Sequence, residues 1–151
     1  MEAHKSPLIL NNFLLLNLEY HFIQPQAEMD INIPETTNQY FIDIDFAFQG
    51  MADELVQLFT KIGINNNDNV LPGYQLFIEG VCAFSFDSKE ELTEIDISNL
   101  LHLSGLNICI NSLRNIIATI TANGPFGKYT LPSINVNQLL ADKQVQMAAK
   151  A

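Results

Sequence analysis

The chain has 151 residues, 17 acidic against 7 basic, and a net charge of −10. That charge repels phosphate, which excludes nucleic acid as a main partner and disfavours anionic membrane surfaces. Yet 48% of residues are hydrophobic and mean hydropathy is positive. Apolar surface is therefore expected to be shared with other copies, covered by an apolar ligand, or sunk in a well-filled core.

The length fits one domain spanning residues 1–151, with no linker, repeat or low-complexity run. Cys82 and Cys109 show no metal or redox spacing and read as buried free thiols of a reducing cytosol. Residues 1–10 lack the features of a secretory leader. Leu14-Leu15-Leu16 lies in a stretch broken by Asn11, Asn12, Asn17 and Glu19, too polar and too short to span a bilayer. A cytoplasmic location is expected.

Residues 8–23 alternate, with Leu8, Leu10, Leu14, Leu16, Leu18, Tyr20 and Phe22 apolar, which predicts a long strand with its even positions inward. Met29 to Ile33 predicts a short second strand ended by Pro34. Tyr40 to Phe48 predicts a third, with Tyr40, Ile42, Ile44, Phe46 and Phe48 inward. In Ala52 to Gly63, Leu55, Leu58, Phe59 and Ile62 follow helical spacing and predict a short helix stopped by Gly63. Asn65 to Asn69 reads as a polar turn.

Tyr74 to Phe86 predicts the fourth strand, with Tyr74, Leu76, Ile78, Cys82, Phe84 and Phe86 on one side. Asp87 to Glu94 is acidic and reads as irregular, and Ser98 to Leu103 as a helical turn or two. The main helix is expected from about Asn107 to Ala122, stopped by Asn123-Gly124 in left-handed conformation and by Pro125. Asn135 or Asn137 is expected to cap a last helix. The fold class is thus α+β: a four-stranded antiparallel sheet with a long and a short C-terminal helix on one face, plus a small helical insertion at 51–72.

At Asn107, Ile108, Arg114, Ile117 and Gly124, in Gly124-Pro125-Phe126-Gly127, at Leu131, Asn135 and Leu139, and in Ala83-Phe84-Ser85-Phe86, the chain resembles the SecB export-chaperone family. The resemblance covers nearly the whole chain through degenerate motifs. Leu106 and Asn111 stand where the family has prolines, and residues 51–72 stand where it has a short turn.

The resemblance implies an ATP-independent holdase that binds unfolded polypeptides or preproteins along apolar grooves, without cofactor or metal. It also implies a homotetramer built as a dimer of dimers, with the SecA motor as a partner in export-type members. Phe84, Phe86, Phe126 and Tyr129 are the expected client groove. Glu19, Asp43, Asp45 and Glu79 are the expected acidic outer sheet face that would meet SecA. Ile108, Leu113, Arg114, Ile116 and Ile117 are the expected oligomer-interface helix, with Arg114 pairing an acid there or lying on the surface.

Enzyme readings have little to rest on. His4, His21 and His102 are far apart and in no metal spacing, no Gly-rich phosphate loop follows a strand, and nothing marks a nucleophile. Two other readings stand beside the holdase. One is a dedicated module for a single partner such as an antitoxin, and the other is an α+β domain holding a small ligand in an apolar cavity.

Overall fold

The computed structural model describes residues 1–50, 54–87 and 91–151. Strand β1 (Leu8–Ile23) is followed by helix α1 (Ile33–Asn38), then β2 (Ile42–Gly50), β3 (Val56–Ile64) and β4 (Gly73–Phe86). Helix α2 (Glu94–Asn99) runs through a π-helical segment, Leu100–Gly105, into α3 (Leu106–Thr121), and α4 (Val136–Ala149) ends the described structure. The strands form one antiparallel sheet in the order β1-β4-β3-β2, and α3 packs on β3 and β4. The class is α+β with the C-terminal helices against the sheet.

Two expected elements are corrected. Met29 to Ile33 is not a strand. Asn32 Oδ1 instead accepts the Glu35 N–H at 3.2 Å and caps α1, and Pro34 sits in the first turn, where its missing N–H costs nothing. The helical insertion at 51–72 is replaced by a central strand, although residues 51–53 lie outside the described residues. Leu58 and Ile62 are four apart, which suits either period. Val56, Thr60 and Ile64 share their parity, and Leu58, Thr60, Ile62 and Ile64 are all buried on the helix side. Residues 88–90 of the acidic stretch also lie outside the described residues. Beyond it, Thr93 and Asp96 form a reciprocal cap that starts α2.

The core is the helix-side face of β4 and β3 under α3. Tyr74, Leu76, Ile78, Cys82 and Phe84 from β4 meet Leu106, Cys109, Ile110, Leu113 and Ile117. Both cysteines are free and buried. The hydrogen bond with Cys109, with burial added, pushes the Cys82 thiol far up and keeps it protonated.

β1 departs from simple alternation. It pairs Leu8 with Phe86 and Leu10 with Phe84, then shifts register before Asn12 and again before Asn17. Each bulge adds one residue and inverts the facing that follows. Phe13 and Leu15 therefore share the helix side with Cys82 and Gly80, and Leu14 joins Val81 on the other face. The expectation that Leu14 points inward fails for this reason. Phe13 closes over Gly80, where a Cβ would come within 2.8 Å of its ring and 3.0 Å of Leu113.

Two turns hold β4 in place. Asn65, at φ 58°, donates to the Leu71 and Tyr74 carbonyls at 2.8 and 2.9 Å and accepts from Leu71 N–H at 2.8 Å. α3 ends at Thr121, and Asn123-Gly124 beyond it has no left-handed residue, contrary to expectation. Glycine is required by space instead, because a Cβ would lie 2.4 Å from the Tyr74 hydroxyl. That hydroxyl donates to Gly127 O at 2.7 Å and accepts from Phe126 N–H at 3.2 Å, tying the connector to the sheet. Tyr74→Phe is expected to cost about 1–3 kcal/mol, because it strands these groups. Urea unfolding with an unchanged slope checks this, and an unchanged midpoint would refute it.

Candidate functional site

β2 forms the edge of the sheet opposite β1. Asn135 Oδ1 caps α4 by accepting Gln138 N–H at 3.1 Å and sets the helix over that edge. Val136 is the one fully buried residue of α4, while Val145 and Met147 stay exposed. A thin attachment of this kind leaves space on both flanks. A cavity of about 450 Å³ opens between β2, α4 and the π-helical segment, walled by Phe46, Phe48, His102, Leu140 and Met147. A smaller one of about 220 Å³ lies on the other flank, over Ile42, Ile44, Ile134 and Leu139. The Phe48 and His102 rings meet at a tilt of 55° with centroids 4.7 Å apart. Together these make a mostly apolar groove at a strand edge, suited to an extended apolar segment and lacking any assembled acid, base and nucleophile.

Asp45 governs the middle of this seam. Lys143 of α4 reaches round the strand edge to Asp45 Oδ1 at 2.6 Å, and Lys61 lies 3.6 Å from Oδ2. The Phe46 N–H donates to the same carboxylate at 2.9 Å. Burial would raise the Asp45 pKa, but the Lys143 hydrogen bond, the Phe46 amide and both lysine charges outweigh it and hold the pKa below the ordinary value. A carboxyl depressed in the folded state adds stability at neutral pH and loses it as pH falls through that depressed value. The group is partly exposed, so Asp45→Asn is expected to cost at most about 1 kcal/mol. The gap to wild type should close on acidification, and a gap that widens would contradict this.

β1 presents a run of uncovered apolar side chains. Ile9, Leu10, Leu14, Leu15, Leu16 and Leu18 are all exposed, Leu14 at 52%. Beside it, Ile108, Ile116 and Ile120 of α3 are only half-buried. Long apolar edges left open are pairing surfaces.

The expected groove residues do not gather. Phe84 is fully buried beneath Gly105, and Phe86 follows it at the end of β4. Phe126 packs edge-on against Phe22 at 5.2 Å and lies 6.2 Å from the Tyr74 ring, near the start of β4. Tyr129 is buried against Tyr40. Ten residues of strand separate Tyr74 from Phe84, roughly 33 Å. The expectation of one groove made by all four is corrected to two separate clusters, with Phe84 wholly inside the core.

Glu19, Asp43, Asp45 and Glu79 do share the sheet face away from α3. One row across that face reads Asp45, Lys61, Glu79, Asn17, so a lysine separates two of the acids. The adjacent row, Ala47, Phe59, Val81, Leu14, is apolar across all four strands.

Of the expected interface helix, Leu113 and Ile117 are fully buried within the chain, and Ile108 and Ile116 remain partly open. Among the described residues Arg114 meets no acid. Its Nε and Nη2 donate to the Leu131 and Pro132 carbonyls at 3.0 and 2.9 Å, and Nη1 donates to Asn111.

The sequence missed His102, Leu140, Lys143 and Met147 as groove walls. Phe46 and Phe48 were legible as inward-facing. What carried no signal was that their strand lies at the sheet edge, where α4 and His102 of the π-helical segment cover them.

No family model and no curated protein matches this sequence. Among solved structures, the chain is similar to the SecB-like chaperone Rv1957 of Mycobacterium tuberculosis, solved in complex with a ChAD peptide from the Rv1956 HigA1 antitoxin. The TM-score is 0.58 at 12% identity, covering 85% of this chain and 88% of that one. The fold is SecB-like. A protein of unknown function from Streptococcus agalactiae matches with a TM-score of 0.40 at 11% identity, over 83% of this chain and 97% of that one. Among the described residues, no three His, Cys, Asp or Glu side chains converge as a metal site, and no helix is long and apolar enough to cross a membrane.

Proposed function

We propose that the protein is a chaperone-like, ATP-independent binder of extended apolar polypeptide segments, held in the groove between β2 and α4. The observation that carries this reading is the apolar cavity of about 450 Å³ at the free edge of a SecB-like sheet. An edge strand offers backbone pairing to any sequence, and apolar walls reward any greasy side chain. The exposed leucines of β1, with Ile108 and Ile116, are assigned to contacts between copies of the chain, building a tetramer as a dimer of dimers.

A dedicated partner is favoured over general export clients by the structural neighbour, which was solved with an antitoxin peptide. The lysine within the outer acidic row also weakens the case for a strongly basic SecA-type partner on that face. The reading places the protein in the cytoplasm and gives it no catalytic step.

The test is aggregation of several unrelated denatured proteins, followed by light scattering without nucleotide. Suppression of all of them at near-stoichiometric ratios identifies a general holdase, and suppression of one alone identifies a dedicated one. Unaltered aggregation of every client, together with no binding of apolar peptides, removes the reading.

A further inference from the structure

A separate cavity, of about 310 Å³, lies at the opposite end of the sheet from Phe84, where α1 meets the connector after α3. It shares no residue with the groove between β2 and α4. Its chemistry is also different. Its wall holds Asn38, Lys128, Tyr129 and Thr130 among polar residues, with Ile33 and Phe126 as apolar neighbours, and among the described residues no carboxylate lines it. Among the described residues the 450 Å³ cavity likewise has no carboxylate in its wall, but its Lys143 is already paired with Asp45.

The cations make the point sharper. Between the start of β1 and the end of α4, the described basic residues are Lys61, Arg114, Lys128 and Lys143. Lys61 and Lys143 are paired with Asp45, and Arg114 is spent on two carbonyls and Asn111. Lys128 alone among these described residues has no partner, and it lines the cavity. Beside it, Tyr129 is only 7% exposed, and among the described residues its hydroxyl makes no hydrogen bond, although its backbone N–H donates to Thr121. Among the described residues the one sealed side-chain polar atom without a partner is Thr60 Oγ1, so the Tyr129 hydroxyl is open to a partner from outside. Burial, with the nearby Tyr40 adding, pushes the Tyr129 pKa up to about 12, so the group stays a donor through the neutral range.

We propose that this cavity binds a carboxylate carried on a small apolar group, with Lys128 and the Tyr129 hydroxyl as its donors. An ammonium and a phenol together give a carboxylate charge-assisted hydrogen bonds, and Ile33 and Phe126 receive the attached apolar group. The same chemistry is presented by a free N-acylated apolar amino acid and by the C-terminal end of a polypeptide.

Isothermal titration of the intact protein decides it. The probes are N-acetyl-leucine, N-acetyl-leucinamide, and an acetylated heptapeptide ending in leucine with either a free or an amidated terminus. Saturable heat is expected from the acids and none from the amides. Lys128→Gln and Tyr129→Phe should each weaken acid binding about tenfold or more with an unchanged thermal midpoint, since neither side chain tip has a partner to lose. Binding of N-acetyl-leucine as tightly as the peptide identifies a small acid as the ligand, and binding of the free-terminus peptide alone identifies a chain end. Absence of saturable heat from every acid up to about 10 mM, or equal binding of acids and amides, or indifference to both substitutions, overturns the proposal.

Discussion

Replacing Leu15 and Leu18 with glutamate is expected to reduce the protein to a single chain of 16.9 kDa in solution. Both side chains are exposed on β1, Leu15 beside Gly80 and Leu18 beside Ile78, and neither contributes a fully buried core contact. The isolated fold should therefore survive the change, with its circular dichroism and thermal midpoint close to those of wild type. Contacts between copies should not survive it. An edge pairing places apolar area out of water at roughly 25 cal/mol per Å², and like charges set opposite each other across two strands oppose it by up to about 1 kcal/mol per pair. The surplus of acids adds long-range repulsion, so salt should partly restore assembly. Sedimentation equilibrium reads the result. Variant and wild type sedimenting at the same mass would show that β1 is not where copies meet.

The second large effect separates core from groove among the phenylalanines. Phe84→Ala is expected to destabilise the fold by about 3–5 kcal/mol, the usual cost of removing a fully buried aromatic ring. Its side chain is wholly enclosed, with its ring next to Gly105. Phe48→Glu should leave stability nearly intact, since Phe48 is half-buried at the sheet edge against His102. It should instead abolish capture of apolar segments, by placing a carboxylate in the wall of the larger cavity. Denaturant unfolding and peptide binding, measured side by side, give the comparison. Loss of binding in Phe84→Ala at full stability, with Phe48→Glu unaffected, would reverse the assignment.

Much of the fold was legible because its signals are local and mutually consistent. The alternation of β4 from Tyr74 to Phe84 and the stripe of Ile110, Leu113 and Ile117 on α3 each bury the side the sequence marks. The Asn135 cap is equally local. The failures have physical causes. β3 was hidden because two buried positions four apart satisfy both a helix and a strand, and its β-branched Val56, Thr60 and Ile64 were the deciding residues. The bulges of β1 cannot be seen in hydropathy, because Leu14, Leu15 and Leu16 are equally apolar and the choice between them is made by register with β4.

The site was less legible than the fold. Phe84 and Phe126 were grouped by motif, but they lie near opposite ends of β4, and only the sheet order shows that β2 is an edge strand, sheltered by α4. Lys128 and Tyr129 adjoin in sequence, yet that the Lys128 ammonium has no partner among the described residues emerges only once Asp45 has taken two lysines and the connector carbonyls have taken Arg114.

Hydrogen–deuterium exchange with and without a denatured client tests the central claim most directly. Amides of residues 42–48 and 140–147 should exchange more slowly in the complex, because the client lies along the β2 edge and against α4. Protection confined to other segments, with these two unchanged at saturating client, would contradict it.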